Sequence, residues 1–384
     1  SQTEGGLWRD TSGTGDFVLS NRAIQGQYTM SFLSIGSAFE GEESDAYFQF
    51  DQNIRRIVSE RLALSNPDYV RAFEDQLGAE NGLLTSDDPS ANAYWNGYTG
   101  SSQDVLVPSF VMAYGPYNEN RSKVTPFPDI PLPNWQVNYN LMNAFPGLRD
   151  FLTNVTLRHS YRSTYTANYI LNNRAVDPVT GNFSENGFSD ELLTLTGTAT
   201  LFGDTTTTDV ANFEPVYTIQ SASIAEAFAP LFGVNMTFKN GIGAQIDFKR
   251  NRQLTLNTGA QQLNENRNTE FTLNLSWRKE NSLAPIQIFG RELPLKNTYT
   301  LRFETTVRNT SIQNRRLDSQ IPPEPTGGTL NVTYKPSIDY LVNSQLSVRA
   351  YVEHTRNRPV LSTSFPSNFT AVGIQVRFTL TSSI

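Results

Sequence analysis

The sequence has two histidines, His159 and His354, each inside or at the end of an alternating run of residues. A nucleophilic triad or a histidine-based metal centre needs more partners than two isolated imidazoles supply. Both read as ordinary residues on a water-facing strand surface. Adjacent carboxylates occur at Glu42–Glu43 and Asp87–Asp88. Such pairs can hold a cation, but sequence neighbours point apart in a strand. Both pairs stand in polar, loop-like text and read as solvated loops, with weak cation binding as the chemical alternative. There is no cysteine, hence no disulfide frame and no thiolate chemistry. No phosphate-cradling glycine loop, dinucleotide fingerprint or nucleophile elbow is present. No catalytic, cofactor-binding or metal-binding residue is therefore assigned, and no enzyme activity is expected.

The elements that carry these residues divide near position 125. Charged residues make up only 17% of the 384, and the net charge of −7 gives no support to a nucleic-acid partner. No run of 18 or more apolar residues exists, which excludes a transmembrane helix. The chain opens on polar residues at Ser1 without Met and reads as a processed or partial chain. Residues 1–125 read as a mixed segment with one or two strands, on the lumen or periplasmic side. Within it, 27–35 can form a strand. In 51–65, Ile54, Ile57, Val58, Arg61 and Leu62 fall on one helical face. A second helix is expected over 66–82, capped by Asn66 with Pro67 at its first position. Together they predict a helical hairpin over 51–78.

From 126 to 384 the period changes to two. Tyr299, Leu301, Phe303, Thr305 and Val307 oppose Thr300, Arg302, Glu304, Thr306 and Arg308. Phe271, Leu273, Leu275 and Trp277 oppose Thr272, Asn274, Ser276 and Arg278. Val372, Ile374, Val376, Phe378 and Leu380 oppose Gly373, Gln375, Arg377 and Thr379. Each run has one apolar and one wet face. "KNG" (239–241) predicts a tight hairpin. "PEPTGG" (323–328) and "PSNFT" (366–370) mark longer connections, and 176–190 and 203–209 long polar loops.

Runs of this length suit a tilted strand crossing a bilayer. The wet faces carry charges of both signs in mid-strand. Trp135, Tyr139, Trp277 and Tyr299 sit near strand ends, where interfacial girdles lie. The last strand ends close to the end of the chain. The expectation is an all-β, antiparallel transmembrane β-barrel of about twelve or thirteen strands, or an arc of a much larger one, with the helical hairpin inserted near its N-terminal side. A soluble β-sandwich alternates too and is the alternative. Before the first barrel strand stands "PFPDIPLP" (126–133), which cannot donate to a ladder and reads as an extended lead-in.

Several of these blocks, in this order, resemble a known family. They are "VLVPSFVMAYGP" (105–116), "PFPDIPLPNWQVNYN" (126–140), "LRHSYRSTYTANY" (157–169) and "IAEAFAPLFGVNMTFKNGIGAQIDFKRNRQLTLN" (224–257). The family is SprA/Sov, the giant outer-membrane translocon of type IX secretion in the Bacteroidetes and their relatives. The resemblance runs from about residue 90 to the end. It implies an outer-membrane protein-conducting channel that exports folded cargo and supports gliding motility. It also implies partners: cargo with C-terminal signal domains, a PorV-like shuttle barrel and a periplasmic plug protein. Membrane lipids and lipopolysaccharide would surround it. Family members are several-fold longer, so this chain would be completed by the remaining N-terminal part of the same barrel or by a second barrel chain. A stand-alone porin or TonB-dependent-type uptake barrel is the alternative reading, and a soluble or surface β-adhesin a second. No catalytic residue, cofactor or metal is implied.

Overall fold

The computed structural model describes residues 2–10, 17–41, 44–66, 83–84, 94–95, 97–171, 193–201, 204–212, 217–280, 287–288, 291–292, 298–317, 324–342, 345–361 and 364–379. Two strands open the chain, β1 (Gln2–Asp10) and β2 (Phe17–Ser31). Helical text follows: α1 (Asp45–Phe48), a π-helical stretch (Gln49–Ile54) and α2 (Arg55–Ser65). Then come β3 (Leu83–Leu84), β4 (Tyr94–Trp95), α3 (Gln103–Tyr114), β5 (Trp135–Asn140) and β6 (Leu152–Leu171). Next are β7 (Leu193–Leu201), β8 (Asp204–Asn212), β9 (Tyr217–Phe238), β10 (Ile242–Asn257) and β11 (Gln262–Glu280). The last are β12 (Gln287–Ile288), β13 (Arg291–Glu292), β14 (Thr298–Arg316), β15 (Glu324–Leu341), β16 (Leu346–Pro359) and β17 (Ser367–Phe378).

One antiparallel sheet dominates, in the order β1-β2-β6-β9-β10-β11-β14-β15-β16-β17, with β5 also on β6. Its end strands do not pair with each other, so the sheet is open. Its strands alternate as expected, and β1 and β2 belong to it as well. The tight turn at 239–241 is present: Gly241 has φ +83°, and its N–H donates to the Phe238 carbonyl at 3.1 Å. Only glycine adopts that backbone freely. The expected connection "PEPTGG" instead enters β15, which starts at Glu324, and β17 starts inside "PSNFT", at Ser367. The expected loop 203–209 is largely strand, because β8 pairs with β7; its run of β-branched threonines favours extended backbone. Residues 176–190 lie outside the described residues.

The helical segment is an insertion in one strand lane. On a single edge of β6, β2 pairs with Thr164–Leu171 and β5 with Thr156–Tyr161. Both run antiparallel to β6, so β5 continues the line that β2 leaves at Ser31. The chain leaves the sheet after Ser31 and rejoins it at Trp135, at this break. Three bonds seal it: Phe32 N–H to Ser163 O (3.0 Å), Leu132 N–H to Ser31 O (3.1 Å), and Ser163 N–H to Asn134 Oδ1 (2.8 Å).

This explains the proline rod. A returning segment laid against a sheet would orphan its own N–H groups, and prolines have none. The rod's carbonyls serve as acceptors: Tyr165 donates to Pro126 O at 2.9 Å and Tyr28 to Pro128 O. Phe127 packs edge-on against Tyr28, Tyr169 and Tyr217.

Of the expected hairpin, the first helix is present, with Ile54, Val58 and Leu62 buried. Arg61 is used differently from its apolar neighbours: its guanidinium donates to Glu119 O (2.6 Å) and Ser122 O (2.7 Å). The second helix falls on 67–82, outside the described residues. A helix not foreseen, α3, is buried almost throughout, with Pro108 in its interior. It packs with Met30, Phe32, Phe50, Tyr165, Ile224, Leu254 and Leu256 in the main core.

Candidate functional site

The strands from β9 to β17 position two faces of opposite chemistry. Taking the Ile242 end of β10 as lower, register aligns residues in rows across β10, β11, β14 and β15. The lower rows are Ile242–Trp277–Leu301–Ile338, Ala244–Leu275–Phe303–Pro336, Ile246–Leu273–Thr305–Tyr334 and Phe248–Phe271–Val307–Val332. Ala350 and Ile374, Val348 and Val376 extend the rows across β16 and β17. This surface is bare. Leu275 and Phe303 keep 38% and 37% of their surface exposed, and Val372 and Ile374 on the edge strand keep 75%. A continuous apolar band of this breadth far exceeds the scattered apolar residues normal on a soluble protein. At its lower margin Trp277 and Tyr299 meet edge to face at 6.2 Å, and Lys279 lies 5.9 Å over the Trp277 ring.

The opposite face of the same strands is a lattice of ion pairs. Lys249 and Glu270 stand opposite in register at 3.1 Å, and Arg308 Nε donates to Glu270 at 2.9 Å. Arg302 and Arg349 flank Asp339 at 2.8 and 3.6 Å. Lys335 pairs with Glu353 at 3.1 Å, and Arg158 reaches Asp247 at 2.7 Å. Neighbouring charges alternate in sign, which suits a surface that meets water and keeps little net field.

Above Phe248 the apolar face disappears under the inserted helices. Its parity there holds Arg250 and Arg252 before returning to Leu254 and Leu256. Arg252 and Glu226 pair at 3.1 Å, each side chain 2% exposed. The loop after β2 closes over them. Ser34 Oγ donates to Glu226 at 2.8 Å, Tyr161 donates to it at 2.9 Å, and Arg252 donates to Ser37 O at 2.5 Å. Arg267 bridges Glu265 (2.6 Å) to the Glu40 and Gly41 carbonyls (both 2.8 Å). Arg315 stacks over Tyr47 at 4.4 Å. Burial pushes the Tyr47 hydroxyl up to about 12, and it pushes the Asp104 carboxyl at the start of α3 up to about 7.

The two histidines stay apart, on β6 and β16. His159 Nδ1 lies 2.6 Å from Leu231 O, beside the Trp135 and Phe228 rings. His354 Nδ1 lies 2.8 Å from Thr370 Oγ1. Neither sits on the wet face: His354 shares the parity of Val348 and Val352, and His159 sits among aromatic rings at a break in the β6 register. Glu42–Glu43 and Asp87–Asp88 fall outside the described residues. Among the described residues no group of three or more His, Asp or Glu side chains is placed to hold a metal. A cleft of about 580 Å³ lies beside α2, lined among others by Ile35, Ser37, Glu40, Asp45, Asn53 and Tyr117. No described helix is long and apolar enough to cross a membrane, a statement that does not bear on strands.

The latch residues Ser34, Ser37, Glu226 and Arg252 were not singled out from sequence. The signal was available: two arginines stand at positions whose parity is otherwise apolar throughout β10. Neither a protein-family model nor a curated protein matches the chain.

Proposed function

We propose that the chain forms part of the wall of a bacterial outer-membrane β-barrel channel, with the bare apolar face toward lipid and the ion-pair lattice toward an aqueous lumen. One observation carries this reading: in a single strand such as β14 both faces are exposed, one apolar through Leu301 and Phe303 and the other charged through Arg302, Glu304 and Arg308, so the apolar face lies bare where a water-soluble sheet would bury it. In lipid every strand edge must be paired, so an open sheet there needs further strands to close it. The role is conduction rather than catalysis. The resemblance of residues 90–384 to the SprA/Sov translocons makes folded, signal-bearing cargo the passenger. A PorV-like barrel and a plug protein would be partners of such a channel. A porin or uptake barrel is the second reading, favoured by the same two faces.

The test is contact between the band and acyl chains. With the native particle in vesicles, lipids brominated along their chains should quench the part of the tryptophan fluorescence that Trp277→Phe removes. Absence of that quenching, together with recovery of the chain in the soluble fraction without detergent, would overturn the reading in favour of a soluble β-protein.

A further inference from the structure

The charges left on the apolar face share one sign. Among the described side chains of β9–β11 and β14–β17, the carboxylates on this face are Glu226 and Glu265. Both are buried beneath the inserted helices and both are engaged, Glu226 by Arg252 (3.1 Å) and Glu265 by Arg267 (2.6 Å) and Arg315 (3.5 Å). Every other carboxylate described on these strands lies on the opposite face or at its ends, although the whole chain carries a net charge of −7.

Apart from Lys279 beside Trp277 at the lower margin, the cations left over stand at the upper margin of the band. On β16 the parity that gives Leu346, Val348, Ala350 and Val352 continues through His354 to Arg356 and Arg358. Both arginines are exposed. Two residues along a strand they stand about 7 Å apart on one face, a spacing that lets two guanidiniums hold one phosphate group. Four strands away, Arg250 follows Phe248 directly on the same parity. Its half-buried guanidinium lies 5.2 Å from the Phe39 ring. None of the three guanidiniums forms a direct ion pair or hydrogen bond with an acceptor among the described residues, although the buried Glu226 and Glu265 act on Arg250 from a distance.

We propose that Arg250 and the Arg356–Arg358 pair are two stations for the phosphate groups of anionic membrane lipids, whose acyl chains lie on the apolar band below. This rests on the assignment of the band to lipid. Three features select the occupant. The arginines of the margin have no carboxylate in direct contact, guanidinium is the cation best matched to phosphate oxygens, and each station opens onto apolar surface, which free phosphate would not use.

The experiment measures lipid retained by the native particle extracted from vesicles of equimolar phosphatidylcholine and phosphatidylglycerol, quantified by mass spectrometry. The particle should be enriched in phosphatidylglycerol. Arg356→Gln with Arg358→Gln should lower that enrichment about fivefold or more, as expected for loss of surface cations near an anionic headgroup. Arg356→Lys with Arg358→Lys should keep most of it, and strand circular dichroism should be unchanged in both variants. Equal retention of the two lipids, or enrichment untouched by the glutamine variants, would overturn the proposal. So would displacement of the lipid by inorganic phosphate at constant ionic strength, which would assign the stations to the free anion. Acyl-chain quenching at Trp277 reports on the band independently. Its loss would overturn the membrane reading, whereas quenching with no headgroup preference would overturn only the stations.

Discussion

Arg158 on β6 and Asp247 on β10 form a 2.7 Å ion pair across a strand that lies between them. The intervening residue in register is Gly233 of β9. A Cβ there would meet Asp247 Oδ1 at 2.6 Å and Pro230 Cγ at 2.8 Å. The glycine is the gap through which two non-adjacent strands are tied on the charged face.

Gly233→Ala should therefore displace the Arg158–Asp247 pair and cost about 1–3 kcal/mol, the usual range for overpacking. The check is denaturant unfolding in detergent, run also with Asp247→Asn. In that background the added methyl should cost less, so the two substitutions should be sub-additive in the cycle. Equal costs in both backgrounds would show that the gap serves some other contact.

The Arg252–Glu226 pair fastens the inserted helices to the sheet. Glu226→Ala leaves a buried guanidinium without its carboxylate and should cost about 3–5 kcal/mol. Hydrogen exchange should rise at residues 34–41, whose backbone takes the Arg252 and Arg267 bonds. Replacing both members by apolar residues should recover much of the loss. Unchanged exchange in the single variant would disprove the latch.

Asp104 links the insertion to pH. Its folded pKa of about 7 stands above the unfolded value of 3.8, with burial as the main cause. The folded chain thus binds this proton more tightly than the unfolded chain. The resulting stability is full below the unfolded pKa, declines as pH rises through the folded pKa, and is level beyond it. Asp104→Asn should flatten that decline and raise stability at pH 8. Thermal unfolding of the two proteins across pH 4–9 decides; parallel curves would exclude Asp104 as the source.

An arginine on the bare face should be costly and one on the charged face should not. Leu273→Arg and Phe303→Arg should each cost about 2–4 kcal/mol if the side chain meets the bilayer midplane. Thr272→Arg, adjacent but on the charged face, should cost much less. The comparison is made by reversible folding into vesicles. Equal tolerance at all three positions would remove lipid from the apolar face.

The strand wall was legible because its alternation is long and regular. Phe271 to Trp277, Tyr299 to Val307 and Val372 to Phe378 each keep one parity apolar. Register then follows from a single hairpin such as Asn240–Gly241. Helix α3 was not legible. "VLVPSFVMAY" is apolar on every side, so it has no period, and its internal proline argues against helix; burial against the sheet overrides both. Turn residues misled at Pro325 and Ser367, where strand pairing extends through them. The insertion of 32–134 into one lane was invisible because β2 and β5 belong together only through β6. The histidines were placed on the wrong face because neither parity nor neighbours were followed past Val352 and around the irregular register at Arg158–Tyr161.

The central proposal is that this sheet is one arc of a larger wall. Among the described residues its edge strands in the lower half are β5 and β17, and both run from the upper to the lower end. Pairing them directly would be parallel, whereas every other pairing in the sheet is antiparallel. The higher exposure of Val372 and Ile374 relative to Leu275 and Phe303 fits a missing neighbour beside β17. Antiparallel closure of the band then needs an odd number of additional strands. The most direct measurement is the mass, composition and strand count of the native particle after gentle detergent extraction. Strands additional to the described ones, odd in number and lying between β17 and β5, are expected. A particle at the mass of this chain alone, closed on itself and conducting ions in a planar bilayer, would contradict it.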